Sequence, residues 1–151
     1  MGQDHLRLSD EFLKTILKEA HTIALIGASP KPERPSNYVM TYLLEKGYAV
    51  TPVNPGLAGQ KIAGQTVFGS LSEIDTPIDM VDIFRSSDAV PAIVDEALAL
   101  IKKPKVIWMQ IGVEHKVAAA RAEAEGIKVI MNRCPKIEYE RLGLELASAG
   151  L

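Results

Sequence analysis

The chain has 151 residues, of which 47% are hydrophobic and 24% charged, and its formal net charge is −2. This length and composition are typical of one globular domain with its own core, and we expect a single domain over residues 1–151. The near-neutral charge argues against a nucleic-acid partner, and no apolar run reaches the roughly 18 residues that a membrane span requires.

Hydrophobic periodicity alternates between helical and extended patterns along the chain. Ser9 or Asp10 can cap a first helix, and Ser36 can cap a second helix that ends before Gly47. Short apolar runs between these segments predict buried strands. In the first half of the chain, the predicted elements are a helix at 9–20, a strand at 21–27, a helix at 36–46 and a strand at 48–53.

A glycine-rich loop follows the second strand. A short strand is expected near Lys61–Ile62, and Ser70 or Ser72 can begin a one-turn helix. Beyond this loop the alternation resumes, and Pro91 fits only in the first turn of its helix. The predicted elements are strands at 79–84, 105–112 and 127–132, and helices at 86–103, 113–126 and 136–147.

Strands that alternate with helices in this way predict a mostly parallel sheet with helices on both faces. Right-handed crossovers then give a Rossmann-like, doubly wound α/β fold of five strands. Ligands of such folds bind beyond the carboxyl ends of the strands, where the strand order switches. Small, polar or cationic residues follow each predicted strand, at Gly27–Pro30, Asn54–Gly56, Arg85–Ser87, Gln110–Gly112 and Asn132–Pro135.

The turn after the first strand has features of a phosphate-binding loop, although the later glycines of the dinucleotide fingerprint are missing. Gly27 permits a sharp turn, Ser29 offers a hydroxyl group, and the helix near Ser36 would point unpaired N–H groups toward this turn. Lys31 and Arg34 could close over an anion, since arginine matches phosphate oxygens in pairs. The alternative is that both are solvated loop charges.

The second strand ends in Val53-Asn54-Pro55, without the carboxylate that usually binds the ribose hydroxyl groups of NAD. The loop is therefore expected to tolerate a nucleotide with an additional phosphate, such as NADP or coenzyme A. The alternative, that Asn54 and Pro55 only form a turn, explains their presence but not the missing acid.

Five segments in order resemble one family: GASPKPERPSNYVMTYLLEKGY, PVNP, IFRSSDAV, WMQIGV and NRCPK. They are similar to the small stand-alone CoA-binding proteins, which look like the CoA-binding domain of the succinate–CoA ligase α-subunit. The resemblance covers about residues 10–145 and implies a Rossmann-like fold that binds coenzyme A. The ligase segment with the phosphorylated histidine has no counterpart here, and its lysine after the second strand is matched at best by Lys61.

The resemblance also implies which residues bind each part of coenzyme A. The phosphates would contact the first turn, the nucleotide would lie between the second and third strand ends, and the pantetheine arm would follow the fourth. The implied residues are Gly27, Ala28, Ser29, Lys31 and Arg34 for the phosphates; Val53, Asn54 and Pro55 with Phe84, Arg85 and Ser86 opposite for the nucleotide; and Gln110, Ile111 and Gly112 for pantetheine.

No residue is assigned a catalytic or metal-binding role. His5 lies near the start of the chain and His21 at the wrong edge of the sheet, while His115 begins a helix and is expected to be a surface residue. Cys134 is the only cysteine, so no internal disulfide can form, which favours a cytoplasmic protein. Its thiol could form a mixed disulfide with CoA, but a small buried side chain is the expected role.

Three functions stay open at this stage. The first is the binding of coenzyme A or an acyl-CoA without chemistry, as a carrier or regulatory module. The second is an NADP-dependent oxidoreductase, for which neither a Tyr–Lys nor a His–Asp set is evident. The third is a structural oligomer with a vestigial pocket, which the missing glycines would suit. A homodimer is compatible with each of them.

Overall fold

Five parallel strands form the central sheet of a computed structural model, which describes residues 8–144. Their order confirms the predicted doubly wound, Rossmann-like α/β fold. The strands in these residues are β1 Thr22–Ile26, β2 Ala49–Val53, β3 Lys61–Ile62, β4 Gln65–Thr66, β5 Met80–Ile83, β6 Val106–Met109 and β7 Lys128–Ile130. The order across the sheet is β2-β1-β5-β6-β7, and β3 and β4 form a separate two-stranded sheet.

The order of the strands switches at β1. The chain passes from β1 outward to β2 and then returns to place β5 on the other side of β1. At the carboxyl end of β1, Ile26 lies between Val53 of β2 and Ile83 of β5. The segments that follow β1 and β5 therefore start side by side, at the point where such folds bind ligands.

Helices cover both faces of the sheet. The helices are α1 Asp10–Glu19, α2 Pro35–Glu45, α3 Val90–Leu98, α4 Lys116–Ala124 and α5 Pro135–Arg141. Apolar residues of α1, α2 and α5 pack on one face, and those of α3 and α4 pack on the other. None of the helices in the described part of the chain combines the length and apolar character needed to span a bilayer.

Alternate residues of the central strands supply the two cores. On β6, Trp108 packs under α1, α2 and α5, whereas Met109 packs under α3 and α4. Asp82 of β5 faces the same side as its neighbours Leu25 and Trp108. This carboxyl group is fully buried and has no hydrogen-bond partner among residues 8–144. Burial raises its pKa well above the usual value.

The cap of α1 was predicted correctly, and the cap of α2 was not. The Ser9 hydroxyl accepts a hydrogen bond from the Phe12 amide at 3.1 Å. In α2, Arg34 occupies the cap position and Pro35 is the first helical residue, so Ser36 is a buried residue of the first turn. Proline suits that first position because it lacks an N–H group and its φ is already helical.

Several boundaries also differ from the prediction. The predicted helix at 86–103 is a 3₁₀ turn at Ser87–Ala89 followed by α3, which ends well before Pro104. The sequence did not predict β4, which pairs antiparallel with β3 through a turn with positive φ at Ala63 and Gly64. Residues 145–147 of the predicted last helix lie outside the described residues.

Candidate functional site

A cleft of about 840 Å³ opens beyond the carboxyl ends of β1, β5 and β6. Its volume lies in the range typical of small-molecule sites, roughly 300–1,000 Å³. The first turns of α2 and α5 form its sides. It is lined by Gly27, Ser29, Lys31, Arg34, Pro35, Ser36, Tyr38, Val39, Phe84, Arg85, Gln110, Ile111, Val113, Cys134, Lys136 and Ile137.

Gly27 brings the turn after β1 into contact with the end of β5. Its φ is +90°, and its amide donates to the Val53 carbonyl at 3.0 Å. A Cβ atom at this position would lie 2.4 Å from the carbonyl oxygen of Phe84 and 3.1 Å from Cδ of Arg85. Only glycine therefore permits this turn to pass so close to β5. The close contact between the turn and β5 forms the floor of the cleft at the switch in strand order.

The segment from Ser29 to Arg34 is fixed by local hydrogen bonds. The Ser29 hydroxyl accepts from the Lys31 amide at 3.2 Å, and the Lys31 carbonyl accepts from the Arg34 amide at 3.0 Å. The side-chain amide of Asn37, in the first turns of α2, donates to the Ser29 carbonyl at 2.9 Å. Sequence reasoning missed Asn37, although a polar residue near the start of a helix is a recognisable signal.

Asn54, which follows β2, also fixes the turn after β1 by hydrogen bonds. Its side-chain Nδ2 donates to the Ala28 carbonyl at 2.8 Å, and its Oδ1 accepts from the Gly56 amide at 2.9 Å. Ala28 and Val53 are buried, and neither Asn54 nor Pro55 lines the cleft. That Val53, Asn54 and Pro55 contact the nucleotide stays a prediction.

Four cationic residues line the cleft: Lys31, Arg34, Arg85 and Lys136. No Asp or Glu of the described chain is among the lining residues. Lys136 pairs with Glu140 at 3.2 Å, but no residue of 8–144 forms a side-chain hydrogen bond or ion pair with the other three cations. Such a local excess of unpaired positive charge attracts an anionic ligand.

The inner end of the cleft contains Gln110 and Cys134. Gln110 follows β6 and is 7% exposed, and its Oε1 has no hydrogen-bond partner in the described part of the chain. Cys134 precedes α5 and is 5% exposed, which confirms its predicted burial. Few buried amide oxygens in folded proteins lack a partner, so Oε1 of Gln110 is a candidate acceptor for a ligand N–H group.

Apolar side chains border the mouth of the cleft. Tyr38, Ile111 and Ile137 are about half exposed, with exposed fractions of 48%, 57% and 48%. Each also lines the cleft. Clustered exposed apolar side chains mark surfaces that contact a ligand or partner, so a ligand that is both anionic and partly apolar suits the cleft best.

The structure brings most of the predicted site residues to one cleft. Those that line it are Gly27, Ser29, Lys31, Arg34, Phe84, Arg85, Gln110 and Ile111, whereas Ala28, Val53, Asn54, Pro55, Ser86 and Gly112 do not. The Gly112 amide donates to Oδ1 of Asn132 at 2.7 Å, and the Ser86 carbonyl accepts from the Ala89 amide. These two residues shape the loops beside the cleft.

His115 serves as a helix cap and does not line the cleft. Its Nδ1 accepts a hydrogen bond from the Ala118 amide at 3.1 Å, which makes it the cap residue of α4. It is therefore half-buried rather than the surface residue that was expected. His21 lies at the opposite edge of the sheet, where its amide bonds to Asp79, and His5 lies outside the described residues.

Comparison with known proteins identifies the family. The chain is 35% identical over 127 residues to the uncharacterized protein YneT of Bacillus subtilis (strain 168), covering 84% of this chain and 91% of YneT. A hypothetical protein from Pyrococcus horikoshii OT3 is 38% identical with a TM-score of 0.85, covering 94% of this chain and 97% of that one. Cell-free ID.343 from Thermus thermophilus is 38% identical with a TM-score of 0.84, covering 89% and 99%.

The sequence model of the CoA binding domain family matches residues 21–140, which include all seven strands described above and the whole lining of the cleft. The family resemblance that the five sequence segments indicated is confirmed. This chain belongs to the CoA binding domain family.

Proposed function

We propose that the protein binds coenzyme A, free or acylated, in the cleft beyond β1, β5 and β6, as a carrier or regulatory module without chemistry of its own. Membership of the CoA binding domain family supports coenzyme A as the ligand. The observation that carries the assignment to this cleft is that it combines a cationic part, formed by Lys31, Arg34 and Arg85, with a neutral part, where Lys136 is paired with Glu140 and Gln110 has an unpaired, buried amide oxygen.

The cationic part suits the phosphates of coenzyme A. Lys31 and Arg34 lie on the segment between β1 and α2, and Arg85 follows β5, next to the turn at Gly27. The first turn of α2 adds few backbone donors here, because Pro35 has no N–H group and the Asn37 amide donates to the Arg34 carbonyl at 2.9 Å. The guanidinium groups can each bind two phosphate oxygens, and the segment that carries Arg34 is already fixed by Asn37.

The neutral part suits the pantetheine arm. The unpaired Oε1 of Gln110 would accept a hydrogen bond from an amide N–H of pantetheine, which removes the cost of a buried acceptor without a donor. Ile111, Tyr38 and Ile137 would contact the methyl and methylene groups of the arm. A nucleotide without such an arm would leave both features unused.

The end of β2 would accept a phosphorylated ribose. Asn54 stands where a dinucleotide site for NAD carries a carboxylate, and its side chain is already bonded to Ala28 and Gly56. Because the side chain at this position is neutral, it would not repel the 3′-phosphate of coenzyme A. Because the 2′-phosphate of NADP would be tolerated for the same reason, NADP is the ligand from which coenzyme A has to be distinguished.

Thermal unfolding with coenzyme A, NADP, NAD or no ligand tests the proposal. A ligand at 100 times its dissociation constant stabilises the folded state by about 2.7 kcal/mol. We expect a rise in Tm with coenzyme A that neither NADP nor NAD matches. An equal rise with all three, or no rise with coenzyme A, would refute the proposed ligand.

A pair of charge-matched variants tests the cleft. Arg34→Ala should weaken coenzyme A binding by about 10- to 100-fold, as expected for the loss of one charge-assisted contact, and should reduce the salt dependence of binding. Lys102→Ala removes the same charge from an exposed position before β6. This position lies at the amino ends of the strands, away from the cleft, and the substitution should leave binding unchanged. Equal effects of the two variants would contradict the assignment.

Incubation with a short-chain and a long-chain acyl-CoA tests the absence of chemistry. We expect chromatography to show that each thioester is lost no faster with the protein than by spontaneous hydrolysis in buffer. Protein-dependent loss of either thioester that the Arg34→Ala variant diminishes would show that the cleft has catalytic activity and would overturn this part of the proposal.

A further inference from the structure

We propose that the cleft also binds the disulfide forms of coenzyme A, and that Cys134 exchanges with them to form a mixed disulfide between the protein and CoA. This inference rests on the proposed function, because the nucleotide has to enter this cleft. It adds a covalent, redox-dependent state to a site that otherwise binds its ligand reversibly.

Cys134 can be reached through the cleft. It lines the cleft, and only 5% of its surface is exposed. A disulfide in solution can therefore approach the sulfur only by entering the cleft itself. Cys134 is also the only cysteine in the sequence, so no second thiol of the chain can resolve a disulfide formed there.

Gln110 is a second residue at this depth, and it offers an acceptor to a ligand that enters the cleft. Its Oε1 is unpaired, and the side chain, 7% exposed, lines the same cleft. The Arg133 amide donates to the Met109 carbonyl at 3.3 Å, which joins the residue before Cys134 to the residue before Gln110. Both residues therefore belong to one wall, built from the chain after β6 and the chain after β7. A ligand that pairs with Gln110 lies beside Cys134.

The distribution of charge orients the ligand with its sulfur toward this wall. Lys31, Arg34 and Arg85, which have no acidic partner among residues 8–144, belong to the segments after β1 and β5. Coenzyme A has its phosphates at one end and its thiol at the other, joined by an uncharged arm. Lys136, the cation on the side of Cys134, is paired with Glu140, so phosphates held by the three unpaired cations direct the arm toward the side where Cys134 lies.

The proposed step is a thiol–disulfide exchange. The Cys134 thiol loses its proton to solvent, and the thiolate attacks the CoA sulfur of a disulfide CoA–S–S–R. The S–S bond of that disulfide breaks, a new S–S bond joins Cys134 to CoA, and the leaving thiolate takes up a proton as R–SH. One disulfide is consumed and one is formed, so the step requires no other oxidant.

The test follows adduct formation on the reduced protein by intact-mass spectrometry. CoA disulfide should add one CoA, less two hydrogens, and dithiothreitol should remove it. Glutathione disulfide, which lacks the nucleotide, should react at least about tenfold more slowly, because binding in the cleft raises the effective concentration of the reacting sulfur. Comparable rates with the two disulfides would overturn the inference.

The double variant Cys134→Ser/Lys102→Cys provides the matched control. It moves the only thiol to an exposed position at the opposite edge of the sheet, where both disulfides should react at similar rates. A preference for CoA disulfide as strong as that of the wild type would show that the cleft does not cause the selectivity, and would overturn the inference.

The outcome for the proposed function is read separately, from the Tm of the wild-type protein with reduced coenzyme A. A rise in Tm without an adduct from CoA disulfide overturns the covalent step and leaves the proposed function intact. No rise in Tm together with no adduct overturns both.

Discussion

Replacement of Gly27 by alanine tests how the turn after β1 and the end of β5 build the cleft. Gly27 has φ of +90°, a conformation that residues with a side chain rarely adopt. An added Cβ would lie 2.4 Å from the Phe84 carbonyl oxygen and 3.0 Å from its carbonyl carbon. The shorter distance is roughly 1 Å less than an ordinary contact, and the neighbour is backbone rather than a flexible side chain.

The expected cost has two parts. The left-handed conformation costs roughly 1–2 kcal/mol for a residue with a Cβ atom, and overpacking against backbone costs about 1–3 kcal/mol more. Gly27→Ala should therefore lower the free energy of unfolding by roughly 2–5 kcal/mol. Gly126 separates these parts, because its φ is +86° and no atom lies within 4 Å of the position of an added Cβ. Gly126→Ala should cost only the conformational part, roughly 1–2 kcal/mol.

Urea unfolding of the two variants measures this difference. The difference between Gly27→Ala and Gly126→Ala should exceed about 1 kcal/mol, and only Gly27→Ala should also reduce the rise in Tm that coenzyme A causes, because the turn has to move away from β5. Equal destabilisation by the two variants, or an undiminished response of Gly27→Ala to coenzyme A, would refute the argument that this close approach shapes the site.

Three further substitutions test single interactions. Asn54→Ala removes the hydrogen bond to Ala28 and should cost about 1–2 kcal/mol and weaken coenzyme A binding in titration calorimetry; an unchanged Kd would contradict its role in holding the turn. His115→Ala removes the α4 cap and should cost about 0.5–2 kcal/mol in urea unfolding with no loss of coenzyme A affinity, whereas lost affinity would assign His115 to the site. Burial raises the pKa of Asp82 in the folded state. The free energy of unfolding of the wild type therefore falls as pH rises from the usual pKa of 3.8 through the raised pKa, because the buried carboxyl group has to lose its proton. Asp82→Asn should therefore gain stability over the wild type between pH 4 and pH 7, and an equal difference in urea midpoint at both values would contradict this.

The sheet could be predicted because short runs of apolar residues in the sequence indicate buried strands. The five strands are short and mostly apolar, and β5 and β6 are buried along their whole length. The alternation with helices then fixes a parallel sheet, and the switch in strand order fixes the edge where the site lies. That argument predicts Gly27 and Arg34 at this end of the strands, and both line the cleft.

The wall of the cleft formed by α5 could not be predicted in the same way. Lys136 and Ile137 line the cleft because α5 packs beside α2. That packing includes an edge-on contact between Tyr139 and Tyr42, with ring centroids 5.9 Å apart. The contact joins residues nearly a hundred positions apart, and no local pattern announces it. The turn at Ala63 was missed for a different reason, since alanine rarely has a positive φ.

The state of the arginines supports the proposal that the cleft is a binding site rather than an incidental hollow between loops. Five arginines lie within residues 8–144, and three of them form ion pairs: Arg121 with Asp95, Arg133 with Glu138, and Arg141 with Glu138. The other two, Arg34 and Arg85, have no partner in that range, and both line the cleft. With 19 acidic residues against 17 basic ones, the sequence does not lack carboxylates for them. Guanidinium groups without a partner gain no ion-pair energy from the folded chain, whereas an anion bound in the cleft would pair with them.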